Sequence, residues 1–328
     1  MKTNLKTTTG SLFVALTLII GCHKDSTTQP SPTTTTQTTN TDNYSSMANF
    51  FAKNGVVAQT YTITNSAGGS FTTPQGTVVT IPANTFVNNL NQQIAGTVTI
   101  TFKDIYKKSD MLLSNITTNM TTGAPLKSGG EFFIKATSAG TAVNMANTIT
   151  VKQPLNSLPV DSLMQPYIKT DSTSTPVNID TLGWALAHYN ATVSSTVNGY
   201  IYSLYTIGNP NASGAWCNSD DPYYFSSYTQ GSLILQETDN ASDYNTYVYL
   251  IFKGITTVDA CHTYNGNTFS YSNCVPIGLQ CTVVAVGVKN GTVYSSFTPI
   301  TIGANQTVNF SMSATTTAQF KAALTALN

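Results

Sequence analysis

The sequence predicts an all-β chain with two β-sandwich-like domains and a short C-terminal helix. Apolar and polar residues alternate in short runs, and Gly, Pro and Asn turn signals separate these runs. No long helical pattern lies between them, as a chain of βαβ units would require. Short strands at this spacing therefore favour antiparallel sandwiches.

Residues 1–21 have the features of an export signal. Lys2 and Lys6 precede an apolar run at 11–20 (SLFVALTLII), which is about half the ~20 residues that a membrane-spanning helix needs. The tetrapeptide Ile19-Ile20-Gly21-Cys22 resembles the lipobox of bacterial lipoproteins, in which the cysteine is lipidated and becomes the new N-terminus. The resemblance implies a lipid anchor at Cys22. The alternative is an ordinary secretory signal with an incidental cysteine.

Residues 22–55 are predicted to form a tether. From His23 to Tyr44 the chain is nearly all Thr, Ser, Gln, Asn and Pro, so it has almost no apolar surface to bury. Such a segment cannot offset its ordering entropy and acts as a flexible spacer. A short helix is expected at its end, within residues 45–53.

Residues 56–154 are predicted to form the first sandwich domain. Alternation of apolar and polar residues predicts strands within 56–64, 77–81, 96–105, 129–138 and 148–153. Pro154 and Pro159 then end the pattern. Residues 155–181 are rich in Pro, Ser, Thr and Asp, so we expect a linker there.

The first domain also carries a family resemblance. Its motifs are Gly68-Gly69, Thr73-Pro74-x-Gly76 and Ile81-Pro82-Ala83-x-x-Phe86, followed by a strand at 97–102. Together they resemble a ZU5-type β domain, although Ala83 and Asn84 stand where that family has a second Pro and a Gly. With the lipobox, the chain resembles Bacteroidota-type lipoproteins with a ZU5-like domain. The His-Phe-Ser motif of self-cleaving ZU5 domains is absent, so self-cleavage is not implied.

Residues 182–328 are predicted to form the second, cysteine-containing domain. Strands are expected within 200–207, 232–237, 246–253, 280–288, 293–297 and 306–312. Asn290-Gly291 is the favoured two-residue hairpin turn between two of them. A terminal helix over 318–327, capped by Thr317, places Phe320, Leu324 and Leu327 on one face.

Four cysteines follow Cys22, and all lie in the C-terminal third of the chain. In an exported protein an even number of cysteines predicts disulfides, so the candidates are Cys217, Cys261, Cys274 and Cys281. Three pairings are open. A metal site at Cys261-His262, Cys274 and Cys281 is the alternative, but the spacing lacks a CxxC knuckle. We expect no metal and no cofactor.

Charge and motifs argue against several functions. Only 9% of residues are charged, the formal net charge is zero, and no basic stripe suited to nucleic acid is present. The chain has no GxSxG, HExxH, Walker or dinucleotide-binding motif. His188 is expected to be a strand residue with a satisfied hydrogen bond. We therefore predict a protein that is not an enzyme.

The segment 213–225 (SGAWCNSDDPYYF) has the densest combination of acids and aromatics. Its candidate ligand-binding residues are Trp216, Asp220, Asp221, Tyr223 and Tyr224. The other interpretation is a loop stapled by Cys217 with Trp216 in the core. An enzymatic alternative, a glycan or peptide hydrolase, would gather distant carboxylates in a cleft, with Asp220, Asp221, Glu237 and Asp239 as candidates.

These expectations describe a lipid-anchored cell-envelope protein that acts in binding or assembly. Residue 23 is His, so the Asp that retains some lipoproteins at the inner membrane is absent, and the resemblance implies the outer membrane, on its periplasmic side or at the cell surface. The expected partners are the membrane, through the lipid on Cys22, and a glycan, a peptide or another outer-membrane protein. Nucleic acid is not expected.

Overall fold

The computed structural model of the chain contains four main β-sheets in two sandwiches. It describes residues 42–155, 159–170, 183–207, 214–239, 246–261 and 263–328. The predicted signal, Cys22, residues 23–41 of the predicted tether and His262 lie outside the described residues. The all-β prediction with sandwich-like units and a short C-terminal helix is confirmed.

The described strands are short and number 23 in chain order. They are β1 Gln59–Thr64, β2 Gly69–Thr72, β3 Val78–Ile81, β4 Phe86–Val87, β5 Thr97–Ile105, β6 Lys127–Ser138, β7 Thr141–Ala142, β8 Asn144–Met145, β9 Ile149–Pro154, β10 Gln165–Thr170, β11 Ala185–Leu186, β12 Ala191–Thr196, β13 Gly199–Leu204, β14 Ala215–Asp221, β15 Gln230–Glu237, β16 Thr246–Phe252, β17 Val258–Ala260, β18 Thr263–Asn265, β19 Thr268–Pro276, β20 Gln280–Lys289, β21 Thr292–Thr301, β22 Gln306–Phe310 and β23 Ser313–Thr315.

The strands form two sandwiches of two sheets each. In the first, sheet 1 has the order β1-β5-β6-β14-β10-β11 with β7 beside β6, and sheet 2 has the order β12-β13-β9-β3-β2. In the second, sheet 3 has the order β18-β19-β15-β22 and sheet 4 the order β17-β16-β20-β21-β23. β4 and β8 form a separate two-stranded sheet. All pairs in the four main sheets are antiparallel except β15 with β22.

Three apolar cores hold these layers together. Sheets 1 and 2 enclose the first core, which includes Phe132 and Tyr202. Sheets 3 and 4 enclose the second, which includes Phe252 and Tyr271. The third core joins the outer faces of sheets 1 and 4, with helices between them, and contains Trp184. The described residues accordingly belong to one compact unit.

Three α-helices contribute to the third core. They are α1 Met47–Asn54, α2 Lys108–Leu113 and α3 Thr317–Thr325. Ser46 caps α1 through its side chain, and Thr316 and Gln319 form a capping box on α3, one residue before the predicted cap. No helix among the described residues has the length and apolar character that crossing a membrane requires.

The boundary between the sandwiches differs from the sequence expectation. Residues 165–170, within the predicted linker, form β10 and pair with β14. Strands β11 to β14, expected in the second domain, complete sheets 1 and 2. β10 was missed because Pro166 interrupts its run, and β14 because polar residues fill it (AWCNSDD). Neither feature prevents pairing, since Pro166 and Ser219 take matched positions in the ladder.

Candidate functional site

The candidate segment lies largely on β14, which is buried along its whole length. β14 runs between β6 and β10 in the centre of sheet 1. Trp216 is 8% exposed. The centroid of its ring lies 5.3 Å from the centroid of the Phe133 ring and 5.4 Å from Lys103 Nζ. Its ring therefore offers no free face for stacking on a ligand.

Asp220 is fully buried beside a second acidic residue. Burial raises the pKa of Asp220 well above its ordinary value, and the charge of Glu131 on β6 adds to this effect. The Ser128 hydroxyl donates to Asn218 Oδ1 at 2.7 Å, and its hydrogen bonding to Asp220 acts against the rise in the pKa of that carboxyl group. A carboxyl group without solvent access cannot contact a substrate, so Asp220 is a structural residue here.

The pKa of Glu131 is also raised, and a positive charge lies nearby. Burial raises its pKa to about 8, although the charge of Lys169 acts in the opposite direction. The Lys169 ammonium lies 5.3 Å from the ring of Trp184. Because burial raises the pKa of both acids, it favours their neutral forms, which cost less to bury than two carboxylates would. We call Ser128, Glu131, Lys169, Asn218 and Asp220 the buried acid cluster.

Asp221, the last residue of β14, connects this strand to two surface turns. Burial raises its pKa, the Tyr223 N–H donates to its Oδ1 at 2.8 Å and acts against that rise, and the charge of Asp161 adds to it. Asp161 forms a salt bridge with Lys127, with Nζ and Oδ2 2.6 Å apart. Burial would raise the pKa of Asp161, but the bonds from Lys127 and from the Leu163 N–H outweigh burial and lower it.

The turn after β14 presents aromatic rings at the surface. Tyr223 is 56% exposed, and its hydroxyl accepts a hydrogen bond from Gln165 Nε2 at 3.2 Å. Tyr224 is half-buried beneath Lys127, whose Nζ lies 4.8 Å from the ring centroid. Phe225 is buried, with its ring 5.4 Å from Phe252. The turn is thus fixed at both ends while the Tyr223 ring stays exposed.

Two further turns lie beside Tyr223 and expose apolar side chains. Val160 and Leu163 are exposed in the turn that contains Asp161, and Val197 is exposed at the tip of the β12–β13 hairpin. Ser195 of that hairpin donates through Oγ to the Asp161 carbonyl at 2.8 Å, which joins the two turns. We define the loop patch as the exposed side chains of Val160, Leu163, Val197 and Tyr223 together with the half-buried Tyr224.

Two clefts open near this end of the molecule. One adjoins the loop patch, is lined by residues that include Lys127, Gly129 and Tyr200, and has a volume of about 10 Å³, enough for one water molecule. The other lies between the C-terminus of α3 and sheet 4 and measures about 550 Å³. None of the four acids of the hydrolase alternative lines either cleft.

Those four acids are also divided between sheets. Asp220 and Asp221 belong to β14 in sheet 1, whereas Glu237 ends β15 in sheet 3 and Asp239 follows it. Glu237 is fully buried, and Asp239 Oδ2 accepts from the Met312 N–H at 2.7 Å. The structure does not bring the four together. Within the described ranges, no three His, Cys, Asp or Glu side chains are grouped so that they could hold a metal ion.

The tether joins the folded unit at the end remote from the loop patch. The Tyr44 N–H donates to the Gly291 carbonyl at 3.1 Å, beside the Asn290-Gly291 hairpin turn. Asp42 Oδ2 accepts from the Thr317 N–H at 2.6 Å, at the N-terminus of α3. The loop patch ends next to Phe225, whose ring packs on Phe252. Phe252 pairs with Cys281, at the other end of the β20–β21 ladder and about 30 Å from Gly291.

The four candidate cysteines divide between the two sandwiches. Cys217 is a buried thiol in the first core. Cys261 and Cys281 lie in the second core, and Cys274 packs against it. Burial raises the pKa of the Cys217 and Cys281 thiols to about 12 in each case. Both thiols are therefore unreactive as nucleophiles at neutral pH.

Sequence reasoning named Tyr223 and Tyr224 but missed the residues that hold them. These residues are distant in sequence from the candidate segment 213–225, and they are Lys127, Glu131, Asp161 and Lys169. Glu131 gave one usable signal, because it is a charged residue inside an apolar strand run (GGEFFIKATS). His188, expected in a strand, begins a short 3₁₀ turn instead, with a left-handed φ of 45°.

Comparison of the chain with protein-family models and with curated proteins finds no match to either.

Proposed function

We propose that the chain is a non-catalytic, lipid-anchored protein of the cell envelope that binds a partner through the loop patch. The anchor is a lipid on Cys22, and the location is the outer membrane, on its periplasmic side or at the cell surface. The resemblance of residues 56–154 to ZU5-type domains belongs to this proposal. It is supported by the paired glycines, since Gly68 lies between β1 and β2 in the left-handed region and Gly69 begins β2.

The observation that carries the proposal is the arrangement of the two ends. The tether reaches the folded unit beside Gly291, and the loop patch lies at the opposite end of the β20–β21 ladder. A patch in that position lies opposite the point where the tether enters the folded unit, and its exposed side chains are accessible to a partner.

The chemistry of the patch suits a neutral or apolar partner surface. Lys127 and Asp161 neutralise each other, so Val160, Leu163 and Tyr223 are surrounded by little net charge. Exposed tyrosine with few charges is typical of the centre of binding interfaces. The partner is a glycan, a peptide or another outer-membrane protein, each of which can pack against a tyrosine ring.

The anchor is tested by fractionating cells that express the wild-type chain or Cys22→Ser. We expect the wild-type protein in the membrane fraction and the variant in the soluble fraction. Cys217→Ser serves as the control, because it removes a thiol from the core and leaves the lipobox intact. A Cys22→Ser protein that stays with the membrane would contradict the lipid anchor.

The binding surface is tested by cross-linking pull-down from intact cells, with protease shaving to report which side of the membrane is exposed. We expect partners recovered with the wild-type chain to be lost from a Leu163→Ser, Tyr223→Ala double variant. Tyr189→Ala is the matched control, because Tyr189 is 95% exposed and lies outside the loop patch. Equal recovery from both variants would contradict the proposed surface.

A further inference from the structure

The larger of the two clefts has the size of a small-molecule site. Its volume of about 550 Å³ falls within the range of roughly 300–1,000 Å³ that such sites have in proteins. The ends of three neighbouring strands of sheet 4, which are β16, β20 and β21, form its floor, and the residues that follow α3 form its wall. None of the loop patch residues lines it. The cleft is therefore separate from the surface assigned to partner binding.

The part of the floor that is closer to the third core is mainly apolar. Thr282 pairs with Ile251 on β16 and with Pro299 on β21, and we call these three side chains the inner row. Ile251 is buried in the third core, so the inner row lies on the outer face of sheet 4. Leu327, which follows α3 and packs against the same core, also lines the cleft. The cleft thus has apolar side chains on its floor and on its wall.

A second row of side chains, at the ends of the strands, is polar. Gln280 pairs with Thr301, and the Gln280 carbonyl accepts from the Lys253 N–H at 3.0 Å. Side chains two residues apart on a strand share a face, so these three lie on the same face as the inner row. Lys253 Nζ also donates to Gln280 Oε1 at 3.1 Å. This outer row presents an ammonium, an amide and a hydroxyl group to the cleft.

The floor of the cleft carries positive charge. Among the described residues that line it, Lys253 has the one charged side chain, and it forms no salt bridge with a carboxylate in the described part of the chain. Lys108 adds a second positive charge beside the floor, because its Nζ donates to the Phe252 carbonyl at 2.7 Å. The C-terminal end of α3, on the opposite side, has a partial negative charge. An anionic group is therefore favoured at the floor, next to Lys253.

Hydrogen bonds and packing hold the wall of the cleft in place. Asn328 Oδ1 accepts from the Ser109 N–H at 2.9 Å, and Asn328 Nδ2 donates to Ser109 Oγ at 3.0 Å. These bonds attach the residues after α3 to α2, while Phe320 and Leu324 bury α3 in the third core. Because floor and wall are both fixed, a ligand does not have to order them, and this lowers the cost of binding.

We propose that this cleft binds a small amphipathic carboxylic acid. The carboxylate pairs with the Lys253 ammonium and accepts hydrogen bonds from Gln280 Nε2 and the Thr301 hydroxyl. The apolar chain of the acid lies between the inner row and Leu327. This site requires neither the lipid anchor nor the loop patch, so it goes beyond the proposed function.

The site is located by titrating the isotope-labelled full-length chain with sodium octanoate and recording backbone amide chemical shifts. We expect saturable shift changes within residues 251–254, 280–282, 299–301 and 326–328. Binding should tighten by up to about 16-fold from hexanoate to octanoate, since each fully buried methylene group contributes about fourfold. Shift changes that do not saturate, that lie outside these residues, or that show equal affinity for both acids would overturn the proposal.

Variants test which class of ligand the cleft recognises. Lys253→Gln should weaken octanoate binding about threefold to tenfold and leave the binding of uncharged 1-octanol unchanged, because only the acid pairs with the ammonium. Lys289→Gln is the matched control, since it removes a lysine at the far end of β20. Ala326→Phe should block both probes, because Ala326 is an exposed residue that lines the cleft. Equal weakening of both probes by Lys253→Gln, or no effect on either, would contradict recognition of an acid.

Discussion

The two ends of the second sandwich use aromatic residues in opposite ways. At the tether end, the rings of Tyr44, Phe50 and Phe320 are buried together. The centroid of the Phe50 ring lies 5.2 Å from that of Tyr44 and 5.9 Å from that of Phe320. At the other end, Phe225 is buried against Phe252, but the adjacent Tyr223 is exposed. The difference indicates that the tether end is closed by packing and that the far end keeps an aromatic surface available.

A substitution in the core at the tether end is expected to have the largest effect on stability. Phe50→Ala removes a fully buried ring from the third core and should lower the free energy of unfolding by about 3–5 kcal/mol. Urea denaturation of the full-length chain measures this loss. A loss below about 1 kcal/mol would mean that α1 does not pack on α3 in solution.

Charge burial also distinguishes the two ends, because the buried acid cluster lies beside the loop patch. The folded-state pKa of Glu131 is raised to about 8 from 4.5, so the folded chain retains a proton that the unfolded chain has lost. Stability should therefore fall as pH rises from about 4.5 to 8, by at most about 1.4 kcal/mol per pH unit for this group.

Glu131→Gln removes that titration and should flatten the slope in this pH range. Denaturation midpoints at pH 5 and pH 8 give the measurement, and Asp42→Asn is a control at the tether end. If the Glu131→Gln slope equals that of the wild-type chain, the buried acid cluster does not hold the proton.

The contact between the tether and α3 should have a smaller effect. Asp42→Ala removes the carboxylate that accepts from the Thr317 N–H at the start of α3. We expect a loss of about 1 kcal/mol in the free energy of unfolding, as for other helix N-terminal contacts. The loss should shrink at high salt, because part of it is electrostatic. An unchanged stability at low salt would contradict this contact.

The smallest expected effect on stability is at the loop patch. Tyr223→Ala removes a ring that is mostly exposed, so the free energy of unfolding should change by no more than about 0.5 kcal/mol. The same denaturation series measures it beside Phe50→Ala. A loss as large as that of Phe50→Ala would show that Tyr223 is a core residue and would remove the contrast between the ends.

Local patterns predicted 11 of the 23 described strands, the Asn290-Gly291 hairpin turn and the C-terminal helix. Asn290 and Gly291 both have positive φ, at 49° and 80°, as the predicted hairpin turn requires. α3 begins within one residue of its predicted start. These elements depend on neighbours in sequence, so alternation, turn residues and helix spacing are sufficient to find them.

The loop patch could not be predicted in the same way. Its turns at 159–164, 196–199 and 222–228 are far apart in sequence, and their proximity depends on β10 pairing with β14. Both strands were missed, since polar residues that satisfy one another across sheet 1 look like loop residues in isolation. Trp216 shows the consequence, because its burial follows from the central position of β14.

The central claim is that the end far from the tether is a binding surface, and site-specific photo-crosslinking tests it most directly. A benzophenone amino acid is placed at position 223 in one variant and at position 189 in another, and both full-length proteins are irradiated in intact cells. We expect a discrete cross-linked product from position 223 and none from position 189. Equal cross-linking at both positions, or none at 223, would contradict the claim.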